Sequence, residues 1–300
     1  MPILIGTASW TDPEFIKAGW YPNEVKRDAA GRLRYYAEHF SLVEVNASFY
    51  ALPAMGTVEA WVDRTPDNFR FVVKAHQLIS GHRSDPARLP TALRDLPCTS
   101  DHRGHVVRPS RALRDAVIDH LCEAISPMGH KLSAVLVQLA PTVEFGDAQV
   151  REIARIIARF APLRVAVEFR HRSWVSRQNY DRTRAMLGDL GAAYVCVDAP
   201  RIDVSSAMPP LLQITSNDLG YVRLHGRNGA TWQGARTVAE RFDYIYSPDE
   251  LAEWAKDVVQ MATKVTDVVV VFNNNAGDYA LRNATQLSEL VGDHLDTGTN

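Results

Sequence analysis

VAVEFRHRSW, residues 165–174, begins as a strand and ends in charge. Alternation puts Val165, Val167 and Phe169 on one face, and Ala166, Glu168 and Arg170 on the other. The apolar face suits a covering layer of helices. The opposite face stays apolar until its last two positions, so this is a parallel strand buried on both sides until it reaches its C-terminal end. A core strand that finishes in charge fits the mouth of a barrel, where strand ends open onto a site.

Working outward, seven more runs have strand length: 3–7, 42–46, 69–74, 132–140, 193–198, 221–226 and 267–275. Segments of helical period fill most gaps, at 32–40, 57–65, 112–125, 147–160, 179–191, 247–262 and 276–292. Asp147 is placed to cap one helix start, Gly191 follows a helix end, and Ser247-Pro-Asp-Glu opens another helix. Eight strands alternating with helices require parallel pairing and right-handed crossovers. The fold class is therefore α/β: one (β/α)8 TIM-barrel-like domain over residues 1–300. A doubly wound open sheet is the alternative, weakened because no Gly-rich phosphate fingerprint follows the first strand. Three long connections, 8–31, 75–131 and 226–247, all lie on the C-terminal side of the strands. Residues 80–130 form an insertion in the third βα loop, rich in Arg, His and Pro, which reads as a lid or subdomain.

Composition narrows the class. The 300 residues carry a formal net charge of −2, with 46% hydrophobic and 23% charged residues, as in ordinary globular proteins. No global basicity marks a dedicated nucleic-acid binder. The three cysteines form no CxxC pair and suit a reducing cytoplasm. The N-terminus lacks the basic start of a signal peptide, and no apolar run has the length of a membrane span.

Strand parity collects the candidate site. Strand two sends Glu44 and Asn46 inward, strand three Lys74, strand four Gln138, and strand seven Arg223 and His225. Strand six offers Asp198, in phase with Cys196, and strand eight ends in Asn273, Asn274 and Asn275. Glu44 sits deeper in its strand and is expected to serve the scaffold. Lys74, Arg170 and Arg223 balance Glu44, Glu168 and Asp198. Cations among amide donors suit a phosphate, a carboxylate or a polyhydroxylated ligand, and carboxylates supply acid–base chemistry. No HxH or HExxH spacing is present, so no metal ligand is assigned, and no cofactor motif occurs.

Several stretches also resemble the YecE-like family, whose members have no established reaction. They are IGTASW (5–10), VEVNASFYALP (43–53), FRFVVKAH (69–76), VLVQLAP (135–141), VAVEFRHRSW (165–174), YVRLHGRN (221–228), YIYSPDELAEWA (244–255) and VVVFNNNAGDYALRNATQL (269–287). The resemblance covers most of the chain and implies a TIM-barrel-like fold. It places recurrent positions on Asn46, Phe49, Tyr50, Lys74, Gln138, Glu168, Arg170, His171, Trp174, Arg223, His225, Gly226, Asn273 and Asn274. This chain departs from the pattern at Ala8, usually a glycine, and at Asn275, near which a histidine is usual.

Three functions compete. The first is a hydrolase or lyase acting on a phosphorylated or sugar-like small molecule. Glu168 is its general acid or base, with Asp198 or His225 as partner. Asn46, Tyr50, Lys74, Gln138, Arg170, Arg223, Asn273 and Asn274 hold the substrate. The second, less favoured, is a nucleic-acid phosphodiesterase or repair-type nuclease that grips the backbone with the arginines of the insertion. The third is a ligand-binding barrel without turnover.

Overall fold

A computed structural model describes residues 2–292; Met1 and residues 293–300 of the expected domain lie outside the described residues. Among the described residues ten strands occur, in chain order: β1 (Ile3–Thr7), β2 (Leu42–Val45), β3 (Arg70–Lys74), β4 (Cys98–Ser100), β5 (Val106–Pro109), β6 (Leu132–Gln138), β7 (Val165–Glu168), β8 (Ala193–Asp198), β9 (Leu219–Leu224) and β10 (Asp267–Phe272). Eight close into a barrel in the order β1-β10-β9-β8-β7-β6-β3-β2, and every neighbouring pair is parallel. The open-sheet alternative is excluded by the β1–β2 closure.

The principal outer helices are α1 (Ala29–His39), α2 (Met55–Asp63), α3 (Arg111–Ile125), α4 (Asp147–Phe160), α5 (Tyr180–Asp189), α6 (Pro248–Ala262) and α7 (Tyr279–Val291). Local chemistry sets their ends. Ser247 and Glu250 form a reciprocal capping box at the start of α6. Gly191, at φ +64°, ends α5, and the Ala192 N–H returns to the Leu187 carbonyl. Asp147 is the first helical residue of α4 rather than its cap; extended Gly146 takes the cap position without a side-chain bond. Ile153, Ile156, Ile157 and Phe160 form the buried stripe of α4. No helix follows β8: Pro200, Pro209 and Pro210 interrupt residues 199–218, which run as an irregular strap bonded to Arg172.

The insertion after β3 divides in two. Its first part carries the β4–β5 hairpin, joined through Ser84 to Val106 and anchored to the core by buried Leu89 and Val106. Its second part is α3, the ordinary barrel helix of the third unit.

No helix among the described residues is long and apolar enough to cross a membrane.

Candidate functional site

The strand ends meet at the C-terminal mouth around a cavity of about 660 Å3. Asn46, Tyr50, Lys74, Gln138, Arg170, Arg223 and Asn273 all line it, brought together from β2, β3, β6, β7, β9 and β10. Parity explains this convergence, because residues of one phase at one end of barrel strands point at a common axis.

Beneath the cavity lies a closed network. Glu168 is fully buried and accepts bonds from four groups. Gln138 Nε2 at 2.9 Å, Arg170 Nη1 at 3.1 Å and His225 Nε2 at 3.1 Å reach its Oε1, and Arg223 reaches its Oε2. Arg223 also donates to Glu44 Oε1 at 2.6 Å, and the Tyr221 hydroxyl donates to Glu44 Oε2 at 2.8 Å. Burial pushes the Glu168 carboxyl up, but the Arg223 guanidinium and its cationic neighbours outweigh that and hold it well below the usual carboxylate range. Burial lowers His225 to about 4, so its imidazole is neutral at neutral pH. Its Nε2 then carries the proton given to Glu168, and its Nδ1 accepts from Asn273 Nδ2 at 2.9 Å. The catalytic roles expected of Glu168 and His225 therefore meet an obstacle. Both are sealed under the cavity; an ionised Glu168 has no proton to give as an acid, and as a base its two oxygens are already taken by four donors.

The residues that face the open space are wired differently. Lys74 is 9% exposed. Its Nζ stands 4.3 Å from the centroid of the Phe49 ring, and among the described residues it has no hydrogen-bonding or ion-pair partner. Burial and then the nearby Arg223 charge lower its pKa to about 7. The Oδ1 of Asn46 is buried without a partner. Arg170 spends one bond on Glu168 and lies over Trp232, 5.3 Å from the ring centroid.

Two expected members are elsewhere. Asp198 points through the barrel wall into the helical layer. There it accepts from Arg227 Nε at 2.9 Å and is also bonded by Tyr246 and Trp254, while Arg227 reaches Glu250 at 2.7 Å. Register explains the error: Asp198 is level with outward Leu224, and Val197 with inward Arg223. Asn274 also turns outward, donating to the Tyr244 carbonyl at 2.9 Å and to Asn283 at 3.0 Å. Its neighbours Asn273 and Asn275 line the cavity instead.

Loops add residues that periodicity did not reveal. Asp12 and Glu14 follow β1, His82 comes from the start of the insertion, and Arg241 and Phe242 come from the loop after β9. That loop turns back at Gly226, at φ +86°, where an added Cβ would stand 2.5 Å from Tyr244 Cβ. The turn brings Phe242 to stack on His225, with ring centroids 5.4 Å apart. Among the described residues, no three His, Cys, Asp or Glu side chains converge to hold a metal ion.

The fold and this mouth define a TIM-barrel-like closed barrel of eight parallel strands, lacking a helix after β8 among the described residues, with a polar, cation-bearing cavity at the strand C-termini. The family model for "Protein of unknown function DUF72" matches residues 4–299, and the chain belongs to that family. It is 32% identical over 295 residues to the UPF0759 protein YunF of Bacillus subtilis (strain 168), covering 96% of this chain and 94% of that one. A shorter stretch of 88 residues is 34% identical to the UPF0759 protein YecE of Escherichia coli (strain K12), covering 28% of this chain and 29% of that one. The solved structure of a DUF72 family protein from Enterococcus faecalis V583 superposes with a TM-score of 0.78 at 28% identity, covering 96% of this chain and 95% of that one.

Proposed function

We propose that the barrel mouth is an enzyme site for a small anionic molecule, phosphorylated or sugar-acid-like, acted on by a lyase or a hydrolase. One observation carries the reading: open cationic and polar groups line the cavity above a floor whose charges are already paired. Buried polar atoms without partners cost stability, so a protein retains them where a ligand completes them. Arg170 and Arg241 supply positive charge to the cavity, with Lys74 and Asn46 beside them. Glu168 and His225 act as positioning residues in this account. Glu168 orients Arg170 and Gln138, and His225 holds Asn273. The free thiols Cys98, Cys122 and Cys196 suit a reducing compartment, and a cytoplasmic location is part of the proposal.

The test is thermal unfolding with glycerol 3-phosphate, and with glycerol as the neutral control. At a hundredfold excess over its dissociation constant, a ligand of the native state adds about 2.7 kcal/mol. Glycerol 3-phosphate should raise the melting temperature of the wild type, and Arg170→Met should remove at least most of that rise. An equal response to glycerol, or an unchanged response in Arg170→Met, refutes anion binding at the mouth. Binding without turnover of any phosphorylated or carboxylated carbonyl would leave a ligand-binding barrel.

A further inference from the structure

We propose that Lys74 is a nucleophilic amine that forms a Schiff base with the carbonyl carbon of an anionic aldehyde or ketone. This rests on the reading of the mouth as an anion site and deepens it by naming the reacting group and the substrate class.

The geometric argument comes from comparing two buried lysines. Lys131 is 6% exposed, and its Nζ donates to the Val62 carbonyl at 2.9 Å and the Thr65 carbonyl at 2.8 Å. That ammonium is solvated by the protein and belongs to the scaffold. Lys74 is buried to a similar degree, yet its Nζ has no acceptor among the described residues and faces the cavity. Its one close neighbour is the face of Phe49, which replaces water poorly. The cationic groups Arg170 and Arg223 on neighbouring inward positions further disfavour a charge there, against Glu44 and Glu168, which favour it. A desolvated lysine beside other cations keeps much of its amine unprotonated near neutral pH, as imine-forming enzymes require. Arg170 and Arg241 face the same space and are placed to hold an anionic group while the amine reacts.

The step balances with water as the only by-product. The Nζ lone pair attacks the carbonyl carbon, and the carbonyl oxygen takes up a proton to give a carbinolamine. Loss of that hydroxyl as water leaves a protonated iminium. Overall, one amine, one carbonyl and one proton give one iminium and one water. No oxidant, metal or second substrate is needed. The iminium then draws electrons from the adjacent carbon, which is the chemistry of a lyase.

The experiment treats the full chain with borohydride in the presence of dihydroxyacetone phosphate, pyruvate or neutral hydroxyacetone, followed by intact mass and peptide mapping. The first two probes separate a phosphate from a carboxylate as the anionic group. One reduced adduct per chain is expected on Lys74 from at least one anionic probe, exceeding labelling of Lys17, Lys26, Lys131, Lys256 or Lys264 by about tenfold or more. Glycerol 3-phosphate should protect Lys74, and Lys74→Met and Lys74→Arg should abolish the adduct; Lys74→Arg keeps the cation if Lys74→Met loses its fold. Adducts spread over exposed lysines, with Lys74 unlabelled, overturn the proposal. If glycerol 3-phosphate still stabilises the wild type through Arg170 in that case, the anion site survives and only the nucleophile is wrong. If hydroxyacetone labels Lys74 as well as the anionic probes do, and Arg170→Met changes nothing, the anionic substrate class is overturned instead.

Discussion

The floor of the mouth and the wall above it contain the same kinds of residue, joined in opposite ways. In the floor, both oxygens of Glu44 and both oxygens of Glu168 accept bonds, and Arg223 bridges the two carboxylates; only its Nε is left over. In the wall, the Lys74 amine faces the cavity without an acceptor among the described residues, and the Asn46 carbonyl oxygen is buried without a partner. Burial of charge is common to both layers, so burial does not separate scaffold from site. Satisfaction does: a network whose carboxylates are fully paired rigidifies the fold, whereas a desolvated amine left open at a cavity is retained for something the chain does not itself supply.

The largest expected effect breaks the floor. Glu168→Gln leaves Arg170 without a counterion and Arg223 with Glu44 alone, so it should cost on the order of 3–5 kcal/mol in denaturant unfolding. Stability of the wild type should also fall with acid. The Glu168 pKa is depressed in the fold, so its contribution is present above the unfolded value of 4.5 and is lost as pH drops further. His225 adds to this from pH 6.5 down to about 4, where the unfolded state takes a proton that the folded state refuses. A variant as stable as the wild type at every pH would show that the floor is not the scaffold.

The next effect sharpens the wall. Lys74→Met removes a group whose pKa is lowered in the fold, so the sign is reversed. The unfolded chain binds this proton below 10.5 and the folded chain only below about 7. The resulting penalty grows as pH falls through that window and is complete below it. Lys74→Met should therefore be more stable than the wild type at pH 6, on the order of 5 kcal/mol at ~1.4 kcal/mol per pKa unit, with the gain fading toward pH 10. A loss of stability at pH 6 would mean that Lys74 is as well satisfied as Lys131.

The sequence made the barrel legible because eight strand-length runs alternate with helical periods, and parity then selected most of the mouth. It worked at β7 and β9, where Glu168 and Arg223 are polar residues on one face of otherwise apolar strands. It failed at β8. Ala193 to Val197 are apolar on both faces, so alternation carries no sign, and the terminal Asp198 was assigned to the axis although it belongs to the helical layer. Three consecutive asparagines at 273–275 posed the same ambiguity, and Asn274 took the outward position. His82, Arg241 and Phe242 were invisible for another reason. They sit on long connections without a period, and their approach to the mouth depends on the hairpin of the insertion and on the turn at Gly226. The open state of Lys74 also has no sequence signal, because it depends on which acceptors fail to reach it.

The distinction between the two layers is tested most directly by the ionisation of that amine. Competitive acetylation of the native protein with trace acetic anhydride across a pH series, read by peptide mass spectrometry, reports the fraction of Lys74 present as free amine. The account predicts that Lys74 reactivity passes its midpoint at about pH 7. A midpoint in the ordinary lysine range near 10.5 would show a solvated or paired ammonium, and would remove the contrast between the open wall and the closed floor.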